Sequence, residues 1–355
     1  MNTLKKLAYL CITAIVLASC SSDDDAAPII EVPPLGAYEN GVLITNEGPF
    51  GTGSGTISFI SEDYSTVEQS IFAAVNNSNL GNVVQSMGFA GDLAYIVSNN
   101  SHQINVVNRN TFEAIATIST GLDNPRFFVA VGDTGYVSNW GDTGSETDDF
   151  IAVIDLLTST VTATIPVSFG PEKMVVSGAK IYVAHQGAYG QNNLVSVVDT
   201  AGNTVESEIL VGDVPNSMVL SGSDLWVLCG GKPSYTGAET NGNLIKINTA
   251  TNAVSETLAF GDTEHPSGLS LDGSNLYYGL NGGVYEMRTS SNTLPQTLII
   301  SGSFYGMTTH NGMLFGTDAG DFASDGSLKI FDLATYTETQ SFTVGIIPGG
   351  IYFNE

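Results

Sequence analysis

The chain has 355 residues, with 10 Lys and Arg against 36 Asp and Glu and a formal net charge of −26. So negative a balance excludes charge-driven binding to nucleic acid or to anionic headgroups. Charged residues make up only 13 % and hydrophobic residues 42 %, which excludes a disordered acidic chain and can supply a large core.

In chain order, the first element is a short positive segment, Lys5 and Lys6, followed by an apolar run from Leu7 to Leu17. That run has signal-peptide length and is too short to span a bilayer. Leu17-Ala18-Ser19-Cys20 resembles the lipobox of bacterial lipoproteins. The resemblance implies cleavage after residue 19 and acylation of Cys20, with several acyl chains giving a stable membrane anchor. The same small residues would also suit ordinary secretory cleavage beside an incidental Cys. Ser21-Ser22-Asp23-Asp24-Asp25 resembles the acidic surface-export signal of Bacteroidetes lipoproteins, which implies an outer-membrane location facing the medium; the alternative is a plain acidic linker. Residues 20–40, with Pro28, Pro33 and Pro34, read as a tether, and 41–355 as the folded domain. Loss of Lys5 and Lys6 with the signal leaves 8 basic residues against 36 acidic ones. Cys229 then stands alone at the end of a strand-like run and reads as a buried, inert thiol.

Beyond residue 30 no sustained helical period appears. Short β-branched and aromatic runs alternate with Gly, Asn, Asp and Ser clusters, the pattern of an all-β chain. The runs form a repeat: an apolar strand after a Pro, a tight Gly turn, an aromatic-rich strand, a third strand ending at Asp or Asn, and a fourth ending in Thr, Val or Ile. One copy begins at Pro125-Arg126-Phe127-Phe128-Val129, a second at Pro171-Glu172-Lys173-Met174-Val175 and a third at Pro215-Asn216-Ser217-Met218-Val219. The second strands end at Asn46, Asn99, Asn139, His185, Cys229, Leu280 and Thr317, spaced by 37 to 53 residues. Four strands at that period predict a seven-bladed β-propeller of four-stranded antiparallel blades. Val42 to Asn46 is a second strand with none before it, and Pro348 to Phe353 is a first strand with none after it. The C-terminal strand is therefore expected to complete the first blade and remove two sheet edges.

The segments Tyr136–Asn139, Ile151–Asp155 and Thr160–Val167 resemble the YncE-like propellers, and the similarity extends over about residues 83–260. Combined with the lipobox and the acidic stretch, they resemble Bacteroidetes surface lipoproteins of the BtuG type. That resemblance implies capture of a corrinoid, or another large chelate, and its delivery to a TonB-dependent transporter. It transfers no binding residue, because no local motif matches residue by residue, and a shared fold does not fix a function.

The candidate site follows from the loops. Turns such as Ala90-Gly91-Asp92 and Ser177-Gly178-Ala179 are tight, whereas 46–55, 139–150, 185–193, 229–243 and 317–327 are long and share the other end of the ring. These loops and the connections between blades carry Phe50, His102, Trp140, His185, Tyr189, Tyr235 and His265, an aromatic rim suited to a large ligand. The first residues of the inner strands, Gln85, Arg126, Glu172, Asn216, Ser267, Tyr305 and Gly349, are expected to face the channel there. Arg126 either holds a ligand carboxylate or phosphate, or pairs with Glu172. Acidic loops at Asp142-Glu146-Asp148-Asp149 and Asp318-Asp321-Asp325 offer oxygen ligands for Ca²⁺, or are simply solvated. No cofactor is implied and no nucleophile elbow is present. Propeller lyases with His and Glu at a metal suggest His185 and Glu172 as an enzymatic alternative; a protein-docking face is the third.

Overall fold

The computed structural model describes Leu35–Glu355. The signal peptide, Cys20 and the tether as far as residue 34 lie outside the described residues. The described chain is an all-β ring of seven four-stranded antiparallel sheets. Blade 1 is Pro348–Asn354, Gly41–Asn46, Thr56–Ser61 and Val67–Glu68, from the axis outwards. Blade 4 is typical of the rest: Pro171–Ser177, Lys180–His185, Leu194–Asp199 and Thr204–Leu210.

The residue pattern of each strand follows its distance from the axis. Second strands such as Leu93–Ser98 and Lys180–His185 are buried almost throughout, because both faces of a blade pack on neighbouring blades. Fourth strands such as Thr160–Pro166 form the outer edge and alternate towards water, which is why they are rich in Thr, Ser and Glu. The turns explain the recurring punctuation. Gly91, Gly178, Gly222 and Gly273 adopt positive φ at the first position of two-residue hairpin loops, as type II′ turns demand. A Cβ there would meet nothing within 4 Å, so conformation rather than space selects Gly. The Asp or Asn closing each third strand has its own task. Asp155 Oδ1 accepts the N–H groups of Leu157 and Thr158, Asn248 Oδ1 those of Ala250 and Thr251, and Asp332 Oδ1 those of Ala334 and Thr335.

Blades are also latched to one another. The Tyr136 hydroxyl donates to Asn203 Oδ1 (2.9 Å) in the next blade's outer turn, and Tyr182 repeats this with Asn252 Oδ1 (2.7 Å). Closure of the ring uses the C-terminus, as the repeat predicts. Pro348–Asn354 pairs along Gly41–Asn46, and buried Asn354 donates from Nδ2 to the carbonyls of Tyr38 (2.6 Å) and Arg109 (2.9 Å). One element departs from the all-β reading. A six-residue helix, Ile71–Asn76, fills the connection from blade 1 to blade 2 and buries Ile71 and Phe72. Fewer than two turns leave no period to detect in the sequence.

Because the strands alternate in direction, first-to-second and third-to-fourth turns share one end of the ring, the turn end. Second-to-third loops and inter-blade connections share the other, the mouth. The described chain enters at the turn end, where Tyr38 N–H donates to Asn110 O (2.9 Å) in the outer turn of blade 2.

Candidate functional site

The inner strands share a feature beyond their sequence pattern. Ladder pairing slips just after the first residue in most blades: between Val84 and Ser86, Pro125 and Phe128, Pro171 and Met174, Pro215 and Ser217, and Ser267 and Ser270. A bulge re-aims side chains at the rim of a sheet. Here the bulges leave one or two residues of each strand unpaired with the second strand and free to turn towards the axis. Gln85, Arg126, Glu172, Asn216, Ser267, Tyr305 and Gly349 all line one central cavity of about 780 Å³. That lies within the usual range for ligand pockets, about 300–1,000 Å³.

The charged wall is built across three blades. Arg126 Nε lies 2.9 Å from Glu172 Oε1, and its Nη1 donates to Gln85 Oε1. The guanidinium sits over the Trp140 ring at 3.9 Å, and Trp140 meets the edge of Tyr189 at 5.8 Å. Arg126 is therefore paired with Glu172, the second of the two roles its sequence position allowed. Burial pushes the Glu172 carboxyl up, against the pull of Arg126. On the opposite wall the Tyr305 hydroxyl donates to Glu47 Oε1 (2.9 Å); enclosure by the cavity walls raises both groups and the Glu47 charge raises Tyr305 further, although the Tyr305 side chain as a whole stays half-exposed at the mouth. Asn216 is held by the carbonyl of Pro266 (2.9 Å). Gly349 leaves space beneath the Glu47–Tyr305 pair, 3.2 Å from where its Cβ would stand to Glu47 Oε1.

The rim residues separate into three groups. His265 lines the cavity, with Nδ1 2.7 Å from Gly230 O and Nε2 3.1 Å from Glu239 Oε1. Phe50, Tyr189 and Tyr235 are exposed on mouth loops without lining the cavity, and His102 stands beside Asp123 at 2.9 Å. His185 does not belong to the rim. It is fully buried, its Nε2 2.8 Å from Ser196 Oγ and its Nδ1 3.3 Å from Phe169 O, and burial lowers its pKa to about 4. Its side chain points between blades rather than out of the mouth, which also removes it as an enzymatic partner of Glu172. The acidic loops do not converge either. Asp142, Asp318 and Asp321 accept backbone N–H groups within their own turns, and among the described residues no three His, Cys, Asp or Glu side chains form a metal-binding set. Cys229 is buried, with its thiol pushed up to about 12, as an inert residue would be.

Sequence reasoning missed three residues at this end. Glu47 and Lys173 line the cavity, each next to a position already in view. Strand alternation would turn Lys173 away from the side that Glu172 faces, and only the bulge brings both to the axis. Phe322 is exposed on the 317–327 loop and meets Tyr305 edge-on at 5.5 Å. With Phe50, Tyr189, Tyr235 and Tyr305 it makes five exposed aromatic side chains at the mouth among the described residues, against one, Tyr336, at the turn end.

Comparison with known proteins places these observations in a wider group. A family model described as a domain of unknown function (DUF5074) matches residues 40–341. No curated protein sequence matches the chain. Solved structures with a similar fold include a protein of unknown function from Desulfotomaculum acetoxidans, at 14 % identity and a TM-score of 0.65, covering 88 % of this chain and 98 % of that one. Kuenenia stuttgartiensis hydrazine synthase is similar at 17 % identity and a TM-score of 0.59, over 81 % of this chain and 89 % of that one. BamB from Moraxella catarrhalis is similar at 13 % identity and a TM-score of 0.52, over 85 % and 82 %. At such identities the likeness is one of fold.

Proposed function

The chain belongs to the DUF5074 family, and we propose that it is a ligand-binding propeller of the outer-membrane surface, anchored through a lipid on Cys20. In this reading the mouth captures a large, partly apolar nutrient, a corrinoid or a comparable chelate, and hands it to a TonB-dependent transporter. The observation that carries it is the cavity of about 780 Å³, to which all seven blades contribute, under a crown of exposed aromatic residues. Rigid strands fix the polar groups, and loops supply apolar contact area, the division of labour expected of a small-molecule site.

The test is calorimetric titration of the full-length chain in detergent with cobalamin, haem and a ferric siderophore. One-to-one binding of any of them supports capture. No heat with all three would overturn the chelate reading. In a parallel pull-down, a TonB-dependent transporter recovered from the outer membrane supports delivery, and its absence removes that step.

A further inference from the structure

The cations of this protein are few and almost all are spoken for. Only eight Lys and Arg lie among the described residues, in a chain with 36 acidic residues. Arg126 and four lysines each lie within 4 Å of a carboxylate. Arg109 is stacked on Phe89 and held by Asn354 and the Glu355 carbonyl. Among the described residues, Lys173 and Arg288 make no ion pair or side-chain hydrogen bond. Arg288 is an exposed residue that ends the third strand of blade 6, at the turn end. Lys173 is on the innermost strand of blade 4 and lines the central cavity.

With about four carboxylates for every cation, an unpaired ammonium facing the axis is the opposite of what composition alone delivers. The carboxylate next to it explains how this arises. Glu172 is already engaged by Arg126, and the other cavity carboxylate, Glu47, is engaged by Tyr305, so Lys173 feels the Glu172 charge without a direct partner of its own. Lys173 is exposed to the open cavity, so its ammonium can be reached by an incoming anion; the surrounding walls lower its pKa and the Glu172 charge opposes that shift. A cation held in this way gains most from an anion that brings its own charge into the cavity.

We infer that Lys173 is the anion-holding residue of the cavity and takes a carboxylate or phosphate group of the incoming ligand, while the paired Arg126 is part of the wall. The inference rests on the ligand-capture reading and adds a class: the ligand bears an acidic group. It is tested with the full-length chain and two simple probes, inorganic phosphate and succinate. Lysine methyl groups introduced with ¹³C-formaldehyde are followed by NMR, and the Lys173 signal is assigned by its loss in Lys173→Met. A saturable shift of that signal alone identifies a held anion, and the stronger of the two probes distinguishes phosphate from carboxylate. Lys173→Met is expected to weaken binding of that probe by about tenfold or more, and Lys173→Arg to retain most of it. Equal shifts of all lysine signals, or no saturable shift with either anion, overturns the inference. Chelate binding that persists unchanged in Lys173→Met would overturn it while leaving ligand capture standing. Anion binding without chelate binding would uphold it and remove the chelate reading.

Discussion

Replacing Asp149 by Asn should make the protein more stable at neutral pH, and the gain should disappear on acidification. Asp149 immediately precedes the third strand of blade 3 and is 2 % exposed. Its Oδ2 accepts the Gly170 N–H at 3.1 Å, but Oδ1 is buried without a partner. Burial, with a smaller contribution from the Asp148 charge, raises its pKa from 3.8 to about 6. The folded protein therefore holds a proton that the unfolded chain releases between those values. The stability this group contributes is complete below pH 3.8 and is lost as pH rises through 6. A difference of about two pH units corresponds to about 3 kcal/mol. Asn keeps an oxygen for Gly170 and carries no charge, so the variant should exceed the parent by up to about 3 kcal/mol at pH 7 and by little near pH 4. Urea unfolding followed by tryptophan fluorescence from pH 4 to 7 measures the difference. An advantage that is the same at pH 4 and pH 7, or a variant less stable at pH 7, would refute the reasoning. His185, against the same inter-blade connection, supplies the opposite slope. Its pKa falls from 6.5 to about 4, so its stability contribution is present above 6.5 and lost as pH falls through 4. The deficit of His185→Gln relative to the parent should therefore shrink on acidification.

Asn354→Ala removes the buried amide that ties the last strand to Tyr38 and Arg109, and should cost about 2–5 kcal/mol through the carbonyls left unpaired; a thermal midpoint within a degree of the parent would contradict closure by this residue. Tyr182→Phe deletes the latch to Asn252 and should cost about 1–2 kcal/mol in urea unfolding, with the fold retained by circular dichroism. Cys229 should resist iodoacetamide in the native protein and be alkylated at the rate of unfolding, measured by peptide mass spectrometry. Trp140→Ala should loosen Arg126 over the mouth and weaken ligand binding without abolishing it, measured by calorimetry with whichever chelate the parent binds.

Much of the architecture was legible in the residues because it is set locally. A Gly where a two-residue turn needs positive φ, and an Asp or Asn whose side chain caps its own turn, repeat with each blade and are visible without knowing what packs on what. The unmatched strands at residues 42–46 and 348–353 announced the closure for the same reason. The seven channel positions were legible too: Gln85, Arg126, Glu172, Asn216 and Gly349 each stand second in an inner strand, Ser267 opens its strand and Tyr305 lies just before one. What the sequence could not determine is which side chains reach the axis from neighbouring positions and what each finds there. Strand alternation cannot place both Glu172 and Lys173 on the cavity; a bulge after Pro171 does. His185 and Trp140 both stand near the ends of second strands, yet one is sealed between blades and the other covers Arg126. Those outcomes depend on the packing of three blades at once, and partners distant in sequence, such as Arg126 and Glu172 at 46 residues or Glu47 and Tyr305 at 258, meet only when the ring is formed.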